Sequence, residues 1–120
     1  MARITVLVVE DEPLVRMDIA DNLEDAGFSV VEAANAAEAI AALERDATIQ
    51  IIFTDVDMPG SMDGLKLAAA VADRWPPIRI IVTSGHRTFE ITDIPDGSVF
   101  FSKPYRATEI VNSINQLLTS

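Results

Sequence analysis

The sequence predicts an α/β fold, a doubly wound parallel sheet of five strands in the order 2-1-3-4-5, on three observations. Short apolar runs at 4–9, 28–32, 49–54, 78–83 and 99–102 alternate with stretches of helical period. The first, third and fourth runs are apolar at nearly every position, as strands covered on both faces must be. The second and fifth are shorter and mixed, which suits sheet edges. Repeated β–α units cross over right-handed, and five of them give the flavodoxin-like arrangement, with strands one and three adjacent at the switch point.

The helical stretches each carry their own signals. Val15, Ile19, Leu23 and Ala26 form a stripe opposite Arg16, Asp18, Asp21 and Asp25, and Gly27 ends that helix. Asn35 and Glu38 form a capping box ahead of Ile40 and Leu43. A third helix is expected over 63–75, stopped by Pro76-Pro77. The last carries Ile110, Val111, Ile114, Leu117 and Leu118 at helical spacing. Between the fourth and fifth strands only about 87–92 has helical capacity, and the β-branched Thr88, Ile91 and Thr92 lower it, so the fourth crossover helix is expected to be short or irregular.

Composition narrows the function. Apolar residues make up 49% of the 120, enough for a packed core rather than a disordered chain. Nine Lys/Arg against nineteen Asp/Glu give a net charge of −10, which argues against nucleic-acid and anionic-membrane surfaces. With no Cys, disulfides, thiolate metal sites and cysteine nucleophiles are excluded. No apolar run approaches the roughly 18 residues of a membrane span, and the first residues lack the character of a signal peptide. A cytoplasmic location is expected.

The polar residues at the carboxyl ends of the strands are the candidates for chemistry. Strand one ends in Glu10-Asp11-Glu12, and strand three in Asp55 followed by Val56-Asp57. Strand four ends in Thr83-Ser84-Gly85, and strand five in Lys103-Pro104. Carboxylates leaving adjacent strands repel unless a cation lies between them, and hard oxygen ligands favour Mg²⁺, with Mn²⁺ the alternative. A plainer role exists for Asp11 or Glu12 as the cap of the first helix, with Pro13 at its first position, but that leaves Glu10 and Asp55 without a purpose. Lys103 can pair with Asp55, and its bond to Pro104 can be cis. Ser84 is a candidate hydrogen-bond donor to a phosphoryl oxygen beside the small Gly85, with Thr83 secondary because it faces the other side of the strand. His86 reads as a surface loop residue, since no nucleophile–base triad assembles around it. No phosphate-cradling glycine loop follows strand one.

These motifs in this order resemble the receiver domain of two-component response regulators, and the resemblance spans essentially the whole chain, 1–120. It rests on Glu10-Asp11, on Asp55 within Thr54-Asp55-Val56-Asp57-Met58-Pro59, on Met62-Asp63-Gly64, on Ser84-Gly85 and on Lys103-Pro104-Tyr105. The resemblance implies Asp55 as phosphoacceptor. It implies a Mg²⁺ site from Glu10, Asp11, Asp55 and the backbone carbonyl of Asp57. Ser84 and Lys103 would bind the phosphoryl group, and Phe100 would be the switch aromatic. The implied function is a bacterial phosphorelay module that catalyses no separate turnover reaction. The implied partners are a histidine kinase or histidine phosphotransfer protein and a downstream protein, with a homodimer on phosphorylation as a further option.

The pattern departs in places. Asp63 lies eight residues beyond Asp55 where seven is common, placing an extra residue near Gly60-Ser61. The short fourth helix alters the usual output face, and Phe100 lacks a hydroxyl, so a switch there works by packing alone. Met1 favours a natural start, and a piece of a longer regulator or hybrid kinase is an equal alternative to a stand-alone receiver. Two other readings compete: a metal-dependent phosphohydrolase using Asp55-x-Asp57, and a flavin-binding or partner-binding module without phosphorylation. The missing phosphate loop speaks against flavin.

Overall fold

The computed structural model describes residues 3–57, 64–85 and 94–119. Five parallel strands form one sheet in the order β2-β1-β3-β4-β5. They are β1 (Thr5–Val9), β2 (Ser29–Ala33), β3 (Ile49–Asp55), β4 (Arg79–Ser84) and β5 (Val99–Ser102). Four helices are described among them: α1 (Pro13–Asp25), α2 (Ala36–Arg45), α3 (Gly64–Arg74) and α4 (Ala107–Thr119). Both the expected order and the expected strand positions hold, each within one residue.

The sheet is buried on both sides. Val6, Val8, Ile51, Phe53 and Ile81 face one way and pack with Ile19 and Leu23 of α1 and Ile110 and Ile114 of α4. Leu7, Val9, Ile52, Ile80 and Val82 face the other way onto Ala39, Ala42 and Leu43 of α2 and Leu67, Ala68 and Val71 of α3. Alternation of side chains along each strand divides the apolar runs between these two layers. β1 is buried throughout, whereas β2 and β5 are mixed, as edge strands should be.

Helix ends follow their local chemistry. Glu12 is the N-cap of α1 with Pro13 behind it, but its side chain makes no capping hydrogen bond, so that acid has no capping function. At the other end the Gly27 N–H donates to the Glu24 carbonyl at 3.0 Å and the Phe28 N–H to that of Leu23 at 3.1 Å. This paired closure needs a left-handed residue, and Gly27 supplies φ +100°. Ala26 is therefore an exposed cap rather than part of the buried stripe, and Phe28 fills the place expected of it. The capping box of α2 forms: the Glu38 N–H donates to Asn35 Oδ1 at 2.8 Å, and Glu38 Oε1 accepts from the Ala34 N–H at 3.0 Å.

The short fourth helix expected at 87–92, His86, and the extra residue near Gly60-Ser61 lie outside the described residues. Among the described residues no helix is long and apolar enough to cross a membrane.

One packing contact joins the fold to the candidate site. Gly64 opens α3 directly against the backbone of Asp55 and Val56. A methyl group there would sit 2.6 Å from the Val56 Cα and inside the Asp55 carbonyl. Glycine-to-alanine changes stabilise by about 0.4–1 kcal/mol where space allows. Gly64→Ala is expected to do the opposite, costing on the order of 1–3 kcal/mol by overpacking. Urea unfolding checks this; unchanged or increased stability would show that α3 can shift away freely.

Candidate functional site

The site is built where the strands stop, and each of its loops is tied down by one further hydrogen bond past the end of its strand. The Glu10 N–H donates to the Ala33 carbonyl at 3.1 Å, that of Val56 to Thr83 at 2.9 Å, and that of Lys103 to Ser84 at 2.9 Å. The ladder thus continues one step into the loops and fixes the backbone that presents the acids and the ammonium.

Glu10, Asp11 and Asp55 come together, each offering a carboxylate oxygen within 4.8 Å of the others. Glu10 and Asp55 are each 3% exposed. Lys103 Nζ donates to Asp55 Oδ2 at 2.8 Å, and the Asp57 N–H donates to Asp55 Oδ1 at 2.9 Å. Both oxygens of Asp55 are therefore engaged, one by an ammonium and one by an Asx turn within its own loop.

Burial and charge separate the acids. Burial, then the hydrogen bond to Asp55 and its negative charge, raise Glu10 from its ordinary 4.5 to about 8. Burial pushes Asp55 the same way, but hydrogen bonds from Glu10, Lys103 and the Asp57 N–H outweigh it and hold this carboxyl below its usual range. The two carboxyl groups titrate as a pair, with the rise on the Glu10 side and the fall on the Asp55 side. Burial lowers Lys103, yet its bond to Asp55 and the charges of Asp55, Glu10 and Asp57 more than compensate, so the ammonium persists.

The remaining candidates lie on the same rim. Ser84 is buried at the end of β4, with its Oγ 3.2 Å from each carboxylate oxygen of Asp57. Thr83 is fully buried, and its hydroxyl has no hydrogen-bond partner among the described residues. The Lys103–Pro104 bond is cis, and Tyr105 packs edge-on to Phe53 with ring centroids 5.8 Å apart. Burial and the nearby Glu10 and Asp55 charges raise the Tyr105 hydroxyl, which stays neutral. Phe100 stands on β5 opposite Val82, one strand pair from Ser84, and is 37% exposed. Gly85 lets Lys103 pass, because a Cβ there would lie 3.1 Å from that of Lys103.

Two contributions were not apparent in the sequence. Arg16, expected on the polar face of α1, turns back so that Nη1 donates to the Glu10 carbonyl at 2.8 Å and Nε to Glu32 at 3.2 Å, bracing the acid loop. The Asp57 side chain, expected to matter only through its backbone, reaches the end of β4 and accepts from the Gly85 N–H at 2.9 Å. The pairing of Asp55 with Thr83 brings residue 57 beside residue 85, so the strand register was the available signal.

Three buried or half-buried acids with an ammonium on one of them suit a hard divalent cation. Residues 6–115 match the family model described as the response regulator receiver domain. An NtrX-like response regulator of Rickettsia felis is 33% identical over 115 residues, covering 92% of this chain and 24% of that protein. The chain thus spans about a quarter of the length of that relative. The response regulator receiver protein CpdR of Brucella abortus is 29% identical over 116 residues, covering 94% of this chain and 95% of that one. Among solved structures, a response regulator receiver protein from Sinorhizobium medicae superimposes with a TM-score of 0.89 at 30% identity, covering 98% and 96% of the two chains. The phosphohydrolase alternative finds no support in these likenesses. With fold, site and likeness in agreement, the chain belongs to the response regulator receiver domain family, the phosphoacceptor domains of two-component signalling.

Proposed function

We propose that this receiver, over residues 1–120, takes a phosphoryl group onto Asp55 from the phosphohistidine of a kinase or phosphotransfer protein. Glu10, Asp11 and Asp55, with the backbone carbonyl of Asp57, hold Mg²⁺ or Mn²⁺. The observation that carries this reading is the fixation of a buried Asp55 by Lys103 and the Asp57 N–H beside two more carboxylates.

An Asp55 oxygen forms the new O–P bond as the N–P bond of the donor breaks, and the imidazole nitrogen keeps the electron pair. A carboxylate is a weak nucleophile toward an anion, so positioning and charge neutralisation supply the rate. A divalent cation held by Glu10, Asp11 and Asp55 would supply positive charge to offset that of the incoming phosphoryl group. Lys103 keeps Asp55 ionised and is close enough to follow a phosphoryl oxygen. The ladder bond from the Lys103 N–H to the Ser84 carbonyl fixes the backbone from which that ammonium reaches Asp55.

Phosphorylation then draws Ser84 toward the new dianion. Ser84 and Phe100 lie on the same face of neighbouring strands, so the movement frees space for the exposed ring to turn inward. A coupling of about 1–3 kcal/mol is enough to shift which surface a downstream protein, or a second copy, meets. Lacking a hydroxyl, Phe100 signals by packing alone.

Asp55→Asn is expected to abolish acid-labile phosphorylation by a small phosphodonor with Mg²⁺ present, read by intact-protein mass spectrometry. Equal modification of the variant would place the acceptor elsewhere. Lys103→Ala is expected to retain Mg²⁺ binding while slowing phosphorylation about tenfold or more, the loss of a charge-assisted hydrogen bond. Loss of folding instead would give Lys103 a structural role only. Metal binding must expel the Glu10 proton, so Mg²⁺ affinity is expected to rise as pH climbs from 4.5 to about 8. In Glu10→Gln that rise should vanish, and calorimetry in buffers of different ionisation enthalpy reads the proton released. A pH-independent affinity in the wild type would contradict the shared proton.

A further inference from the structure

The donors at the end of β4 are aimed at Asp57 rather than at the acceptor. Ser84 Oγ is 3.2 Å from both Asp57 carboxylate oxygens, and the Gly85 N–H donates to Asp57 Oδ2 at 2.9 Å. The N–H of Asp57 simultaneously donates to Asp55 Oδ1. One residue therefore holds the acceptor carboxylate with its backbone and the β4 end with its side chain.

A carboxylate and a phosphoryl group are oxyanions that compete for the same N–H and O–H donors. A serine hydroxyl has one proton to donate, so it cannot serve both anions at once. We propose that the Asp57 side chain is a built-in anionic latch, holding the Ser84 hydroxyl and the Gly85 N–H in the unmodified protein so that a phosphoryl group on Asp55 has to displace it. The proposal rests on Asp55 being the acceptor. Its consequence is a threshold: the apparent affinity of the site for a phosphoryl oxyanion is reduced by the fraction of molecules with Ser84 latched. Asp57 is half-buried, so its side chain can turn toward solvent when displaced. It is a positioning residue that acts through Ser84.

The test titrates beryllofluoride, at saturating Mg²⁺, into wild type, Asp57→Ala, Ser84→Ala and the double variant, following the Gly85 amide by NMR. Asp57→Ala is expected to bind about tenfold tighter than wild type, the release of hydrogen bonds to a charged acceptor. In the Ser84→Ala background the same change should gain less than about threefold, because the two residues act as one unit. Before any anion is added, the Gly85 amide should move in Asp57→Ala. Asp57→Asn, which keeps the shape and one acceptor oxygen, should fall between wild type and Asp57→Ala and guards against misfolding. No tightening, or an equal gain with Ser84 removed, would overturn the latch and leave Asp57 as a diffuse charge. Wild type failing to bind beryllofluoride at all would overturn the acceptor role of Asp55 as well, which separates the two failures.

Discussion

Negative charge confined to the ends of two adjoining strands is the constraint on which everything else depends. Topology places Glu10 and Asp11 beside Asp55, because β1 and β3 are neighbours in the sheet. Such a cluster cannot be fully ionised without a compensating cation. Lys103 supplies part of the compensation, and the crowding raises Glu10 toward its neutral form. On the proposed function, the same imbalance is what would admit a divalent ion and then a phosphoryl group.

The surrounding structure keeps the charges from relaxing apart. Ladder bonds continue past β1, β3 and β5 into the loops, Arg16 braces the Glu10 carbonyl, and Tyr105 locks onto Phe53. Gly64 and Gly85 matter for what they lack: side chains there would meet the Asp55 backbone and the Lys103 stem. The two apolar layers hold the sheet, and the sheet sets the spacing of the acids. At the β4 end hydrogen bonds to Asp57 set the arrangement, and on β5 the Phe100 ring is part-exposed.

Much of this was legible because it is encoded locally. Unbroken apolar runs marked β1, β3 and β4, and Asn35 with Glu38 marked the start of α2. Residues at strand ends have few alternative positions, so the meeting of Glu10, Asp11, Asp55 and Lys103 follows once the strand order is known. Long side chains that reach across elements were not legible. Arg16 carried the helical spacing of a solvent-facing residue but folds back over the acid loop. Asp57 looked like a backbone ligand, and only the β3–β4 register shows that its carboxylate meets Ser84 and Gly85. Ala26 matched the apolar spacing of α1 yet caps it, because Gly27 and Phe28 close the helix first.

The shared charge can be observed directly in the metal-free protein by carbon-13 NMR of the side-chain carboxyl groups as pH is raised. Glu10 should titrate near 8 while Asp55 stays ionised throughout the same range. A Glu10 carboxyl that ionises at its ordinary value of 4.5 would contradict the account, since the acids would then need neither the lysine nor a metal to coexist.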